Sequence, residues 1–511
     1  MTTGAHVCLP PLQRALVSIG IMAATLMQVL DTTIVNVALP HMEGSLAATH
    51  DQISWVLTSY LVSSAILMPL TGYFSERLGR RNYLFISIIG FIIASCLCGA
   101  ATSLSQIVAF RLLQGVFGAA LVPLSQAIMT DIFPKEEHGM AMAIWGMGVM
   151  IGPILGPTLG GYLTDVATWR WNFYINIPVG ILSLFLLWRY LPDTKKSLRG
   201  MNWLGLSLIS LLIGATQYLL DRGNQQDWFS SWDIRIAALF IIIGLLGFVF
   251  PYLRKSINGV VNLSVFRDRN FSLSCLLIAM FGLGLYGTMV MLPIMLEDLL
   301  NYPVLTTGIN MAPRGVSSMI AMLFVGKMMR KIDARLIIAM GIVISCLGTA
   351  IDLSYSLNIS SGWISWPMFL QGFGMGMIFT PLSVIAFSTL TTTFRTEAAG
   401  MYSLLRTIGS SIGISIVSTL YSRQSQTAWN QIGSSIQPYN PALETYLDNH
   451  QLTLDNPVAA QVLGQELAQQ AGMVAMLDVF TFICWSFAIM LVMLILLKKP
   501  KKVIHDMDVV E

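Results

Sequence analysis

The stretch "GYFSERLGRR", residues 72–81, places four charges within ten residues, while its flanks at 52–71 and 82–100 carry none. Each flank is long enough to cross a hydrocarbon layer of roughly 30 Å. The stretch therefore reads as a short loop between two membrane helices. Gly72 and Gly79 permit close backbone approach, and Glu76, Arg77, Arg80 and Arg81 can form a charge cluster at the membrane face. A plain basic loop would satisfy the same arginines, but "GKMMRKIDAR" at 326–335 repeats the arrangement between two further apolar runs. That echo decides the fold, because it makes the chain a repeat of two membrane-embedded halves.

Composition agrees with this. Only 11% of the 511 residues are charged and 55% are apolar, with a mean hydropathy of +0.69. Soluble domains carry about 25% charged residues. Fourteen apolar spans are expected, near 14–38, 52–72, 82–100, 104–129, 139–163, 173–191, 203–220, 234–253, 271–296, 305–326, 336–354, 364–388, 398–421 and 474–497. The first is read as a retained helix rather than a cleaved leader. The net charge of +3 is small, and no basic stretch interleaved with aromatics points to nucleic acid. Cys8, Cys96, Cys98, Cys275, Cys346 and Cys484 have no metal-ligand or redox spacing and read as apolar thiols. No nucleophile constellation or nucleotide loop suggests an enzyme, and the glycines of "GFGMGMIFT" lie within a span.

The basic residues orient the chain. With both termini inside, only Arg170, Arg222, Arg235 and Arg423 fall outside, and Arg111, Arg314 and Arg406 are intramembrane; the rest of the 29 Lys and Arg are cytoplasmic. Residues 422–473 form a polar external loop, with room for a short helix. A second repeat, "LQGVFGAALVPLS" at 113–125 and "LQGFGMGMIFTPLS" at 370–383, gives an offset of 257 residues against 254 for the first. The expected architecture is all-α: a six-helix bundle over 14–191, two additional helices over 203–253, and a second bundle over 271–497. Parallel halves of this kind place a substrate site at their interface near the midplane.

Asp31 lies inside the first apolar run, in "MQVLDTTIVNVALP" at 27–40, where a charge costs roughly 2.5–3.5 kcal/mol on insertion scales. Arg111, in "RLLQG" at 111–115, sits at similar depth in the fourth span, so the two can pair directly or through water. Such a pair serves proton transfer or stability alone. "GVMIGPILGPTLGG" at 148–161 combines Pro153 and Pro157 with a glycine face that includes Gly152 and Gly156, giving a closely packing, bendable helix.

These motifs resemble the major facilitator superfamily, and "LDTTIVNVALP", "WRWNFYINIPVG" at 169–180 and "EAAGMYSLLRTIGSSIG" at 397–413 resemble its fourteen-span drug:proton antiporters. The resemblance covers essentially the whole chain. Glu76 departs from it, since the family usually has Asp there. The resemblance implies the major facilitator fold and a multi-pass protein of the bacterial inner membrane. It also implies proton-driven efflux of hydrophobic or amphipathic compounds by alternating access, with the proton as coupling ion and no cofactor. Asp31 and Arg111 would couple the proton; Gly72, Glu76, Arg77, Gly79, Arg80 and Arg81, with Gly152, Pro153, Gly156 and Pro157, would gate. Asn36, Gln114, Arg314, Gln371 and Arg406 are candidates for the substrate cavity. Arg314 and Arg406 read equally as anion contacts or as buried struts. The 30 methionines offer adaptable apolar surface for ligands, or simply face lipid. A periplasmic adaptor and an outer-membrane channel are the implied partners beside the bilayer. A symporter or exporter of one specific solute is the alternative on the same fold.

Overall fold

A computed structural model of the chain describes residues 10–192, 203–253, 263–390, 394–437, 439–449 and 457–498. Every regular element among the described residues is helical, as hydrocarbon demands of a chain that must satisfy its backbone internally. The first half holds α1 (Pro11–Leu46), α2 (Trp55–Leu78), α3 (Arg80–Ala100), α4 (Leu104–Ile132), α5 (His138–Val166) and α6 (Trp171–Tyr190). Next come α7 (Trp203–Arg222) and α8 (Trp232–Leu253). The second half holds α9 (Arg269–Leu299), α10 (Val304–Met328), α11 (Ala334–Asp352), α12 (Ser361–Ser388), α13 (Arg395–Gly433) and α14 (Pro457–Leu494).

Eleven of these are long and apolar enough to cross a membrane, and α5 makes a twelfth if its two arms, bent by 44°, count as one span. The other two, α8 and α10, run for 22 and 25 residues. Proline and small residues shape several of them. α2 tightens into a 3-10 turn at Met68–Leu70, around Pro69.

The internal repeat holds in space. In the first half α1 packs on α5 and α6, α2 on α4, and α3 on α4 and α6; in the second, α9 packs on α13 and α14, α10 on α12, and α11 on α12 and α14. Gly152 and Gly156 recur 257 residues later as Gly409 and Gly413. A Cβ on Gly152 would meet Val29 Cγ1 at 2.7 Å, and one on Gly413 would meet Leu283 Cα at 2.5 Å. One at Gly156 would collide with Thr33, and one at Gly409 with the backbone of Ala279. The glycines thus seat α5 on α1 and α13 on α9. The close packing expected of the α5 glycines is therefore made with a helix of their own half, while other residues of α5 face across to α10. The halves meet along α5–α10 and α2–α13.

The additional pair stands apart. α7 packs on α2 and α13, and α8 chiefly on α7, leaving Leu239, Ile242 and Leu246 exposed. The expected loop at 422–473 is largely helical. α13 continues to Gly433, a further helix spans Pro441–Asn449, and α14 begins at Pro457. Leu443, Leu447 and Ala459 form a small core there, with Ile436 and Leu463 against it. Polarity marked this segment as outside the membrane, but its helix-compatible Gln, Ala and Leu residues let the two spans run on.

Candidate functional site

Asp31 and Arg111 pair directly, Arg111 Nη1 donating to Asp31 Oδ2 at 2.6 Å, and neither side chain has any exposure. Gln114 Nε2 and Asn176 Nδ2 each donate to Asp31 Oδ1 at 2.9 Å. Arg111 also donates to Gln114 Oε1 at 2.8 Å and to the Val56 carbonyl at 3.0 Å, and its guanidinium lies 4.5 Å from the Tyr60 ring centroid. Asn176 reaches Ser95 Oγ at 2.9 Å. Helices α1, α4 and α6 therefore meet at one carboxylate, and α2 and α3 join the network through Arg111 and Asn176. A buried ion pair is favoured when its remaining donors and acceptors are occupied; both oxygens of Asp31 are, while Arg111 Nη2 has no hydrogen-bond partner among the described residues.

This knot lies inside the first half, apart from the cavity between the halves. That cavity, partly open to its surroundings, is lined by Met150, Pro153 and Thr158 of α5, Leu285 and Met289 of α9, Met311, Arg314 and Ser318 of α10, and Met375 of α12, with three glycines. Four methionines give an adaptable apolar wall, and Arg314 is the one charged residue in that lining. Arg314 Nη2 donates to Thr288 Oγ1 at 2.6 Å, while Nε and Nη1 have no hydrogen-bond partner among the described residues. α5 stands between the two sites. Its glycines rest on α1 at Val29, Leu30 and Thr33, the residues flanking Asp31, while Met150, Pro153 and Thr158 face the cavity. Thr33 Oγ1 donates to the Gly152 carbonyl at 3.2 Å. The Pro157 side chain lies outside the described residues.

At the end of the bundle that carries residues 72–81, Asp131 of α4 bridges the halves. It pairs with Arg80 and accepts from Arg395 Nη1 of α13 at 3.2 Å. Glu76 lies within electrostatic reach of Arg80. Gly72 leaves room for Glu397 of α13, whose side chain a Cβ would strike. Gly79 has φ 83°, a conformation that favours glycine. Arg77 and Arg81 take other partners: Arg77 bonds the Tyr73 hydroxyl at 2.8 Å, and Arg81 the Trp188 carbonyl at 2.9 Å.

Two halves related by an internal repeat, with inward polar groups and a cavity between them, leave few alternatives, and the Major Facilitator Superfamily family model matches residues 21–414. The chain belongs to the major facilitator superfamily. It is thus a multi-pass membrane transporter. This major facilitator is similar to the multidrug export protein EmrB of Escherichia coli, with 32% identity over 492 residues covering 96% of each chain. It is similar to the fatty acid resistance protein FarB of Neisseria gonorrhoeae, with 32% identity over 497 residues, 96% of this chain and 98% of that one. Among solved structures, the human organic anion transporter MFSD10 shares the fold at a TM-score of 0.60 and 15% identity, over 94% of this chain and 100% of that one.

Within this facilitator the other cavity candidates separate. Gln114 belongs to the Asp31 knot. Gln371 is fully buried and donates to Asp352 Oδ2 at 2.5 Å. Arg406 is half-buried on α13 near Tyr286 and Tyr402. Asn36 is exposed and is absent from both knot and cavity lining. Asn176, Ser95, Asp131, Arg395, Glu397 and Asp352 were not singled out from sequence. Asn176 stands within the quoted "WRWNFYINIPVG" and Glu397 opens the quoted "EAAGMYSLLRTIGSSIG", while the other four carried no motif of their own.

Proposed function

We propose that this major facilitator exports hydrophobic or amphipathic small molecules across the bacterial inner membrane in exchange for protons moving inward, by alternating access. One observation carries the reading: a fully buried carboxylate is separated from an apolar cavity by a single helix that packs against both. The multidrug export and fatty acid resistance for which its relatives are named support the substrate range. Asp31 is the proton carrier. With the proton bound, Arg111 loses its counter-charge and keeps the Val56 carbonyl and Gln114, so the hold of α1 on α4 and α6 weakens. A shift of α1 moves the glycine seat of α5, and with it one wall of the cavity. At about 150 mV one inward charge yields roughly 3.5 kcal/mol, equivalent to a gradient of about three hundredfold.

Expression in an efflux-deficient bacterial host tests this. The expected result is raised tolerance to several chemically unrelated apolar toxicants. Protection against none, with accumulation of one solute, would favour the single-solute alternative.

In this reading the basic end is cytoplasmic, with both termini on that side, and the bridge through Asp131 holds it closed. Asp131→Asn leaves Arg80 and Arg395 facing each other across the halves. A partly exposed bridge of this kind is worth about 1 kcal/mol, so the ratio of closed to open protein should fall roughly fivefold. Spin-label distances between the cytoplasmic ends of α4 and α13 should lengthen accordingly; an unchanged distribution would remove the bridge from gating.

The helical projection formed by the ends of α13 and α14 and by Pro441–Asn449 is the proposed contact for an EmrA-like periplasmic adaptor, itself joined to an outer-membrane channel. Deleting 441–449 should abolish export across a two-membrane envelope while vesicle transport stays within about twofold. Equal loss in both would assign the projection to folding or gating.

A further inference from the structure

We infer that Asp352 forms a second proton-binding site, in the second half, related to the Asp31 site by the internal repeat. The inference rests on proton coupling as proposed above. Gln114 and Gln371 occupy the same place in the repeated "LQG", and each donates through Nε2 to a carboxylate with no exposure: Asp31 at 2.9 Å and Asp352 at 2.5 Å. The glutamine is retained and the acid has changed helix. At the 254-residue offset the first-half counterpart of Asp352 is Cys98, whose Sγ lies 3.6 Å from Gln114 Oε1. A polar group on the third helix of each half thus meets the glutamine of the fourth.

The two acids differ in their cations. Asp31 holds Arg111 directly, but the counterpart of Arg111 at the 257-residue offset is Met368. No ion pair is made by Asp352 among the described residues, and its Oδ1 has no hydrogen-bond partner there. The titratable groups acting on it are Arg314 of α10 and Tyr355 in the turn after α11. From α12 comes neutral Gln371, and from α14 comes Phe480, edge-on to Tyr355. An ionised carboxylate left half-satisfied without exposure is costly, and a bound proton removes that charge. Arg314 lines the cavity, so the proton on Asp352 also sets how far the cavity's single cation is compensated. With Asp352 neutral, Arg314 is free for an anionic group of a ligand; with Asp352 ionised, the same cavity suits a neutral one.

The test is pH-difference infrared spectroscopy of the purified full chain in lipid nanodiscs, following the C=O stretch of protonated carboxylic acids. Asp352→Asn should remove one component of the wild-type difference spectrum and leave the Asp31 component. A spectrum identical to wild type in Asp352→Asn overturns the second site. An unchanged spectrum in Asp31→Asn instead overturns the first site alone, so the two failures are distinguishable. Where Asp352→Asn does not fold, Asp352→Glu keeps the acid at a different reach from Arg314. Its component should persist with a displaced midpoint, and a midpoint and band position equal to wild type overturn the proposal.

Discussion

Asp31→Asn is expected to abolish uphill export, collapsing the substrate gradient of energised vesicles by about a hundredfold or more, since the wild-type ceiling for one proton is roughly three hundredfold. Asn nearly reproduces the shape of Asp and can still accept from Gln114 or Asn176, which now donate to Asp31 Oδ1. It cannot exchange a proton. Downhill substrate counterflow, which needs only the cavity and the conformational change, should survive. Removing one member of a buried pair costs about 3–5 kcal/mol, so the comparison belongs at matched amounts of folded protein. Asp31→Glu keeps the titratable group at a longer reach and should retain part of the activity with a displaced pH profile. Full uphill export in the Asn variant would leave the pair a structural one.

The second large effect is expected from Gly152→Val with Gly156→Val. Both glycines lie on α1 with no room for a Cβ, against Val29, Leu30 and Thr33. Overpacking of this kind costs about 1–3 kcal/mol per site, and it lifts α5 from the helix that carries Asp31. Export should fall at least about tenfold. Insertion should not suffer, because Val is well accepted by hydrocarbon. Initial export rates per unit of monodisperse protein decide the matter. Rates equal to wild type would take α5 out of the coupling path.

What the sequence disclosed follows from how costly each feature is to hide. A charge inside an apolar run is conspicuous, so Asp31 and Arg111 were legible, and their equal depth implied the pair. Asn176 is neutral, and nothing in its motif gives the rotation of α6 that turns it to Asp31. Asp352 and Asp131 lie near the ends of their helices, where a carboxylate looks like any loop residue. Asn36 is five residues beyond Asp31, about 140° around the helix at 3.6 residues per turn, so this exposed amide does not share the face that carries Asp31. The α5 glycines announced close packing, but only the fold reveals that α1 is the partner. In 422–473, polarity excluded the membrane without excluding helix.

Substrate-induced proton release in proteoliposomes, wild type against Asp31→Asn, bears most directly on the claim that Asp31 carries the coupled proton. Addition of a transported compound should release protons from the wild-type protein and markedly fewer from the variant at equal folded amounts. Release at the wild-type level from Asp31→Asn would show that the coupled proton travels elsewhere.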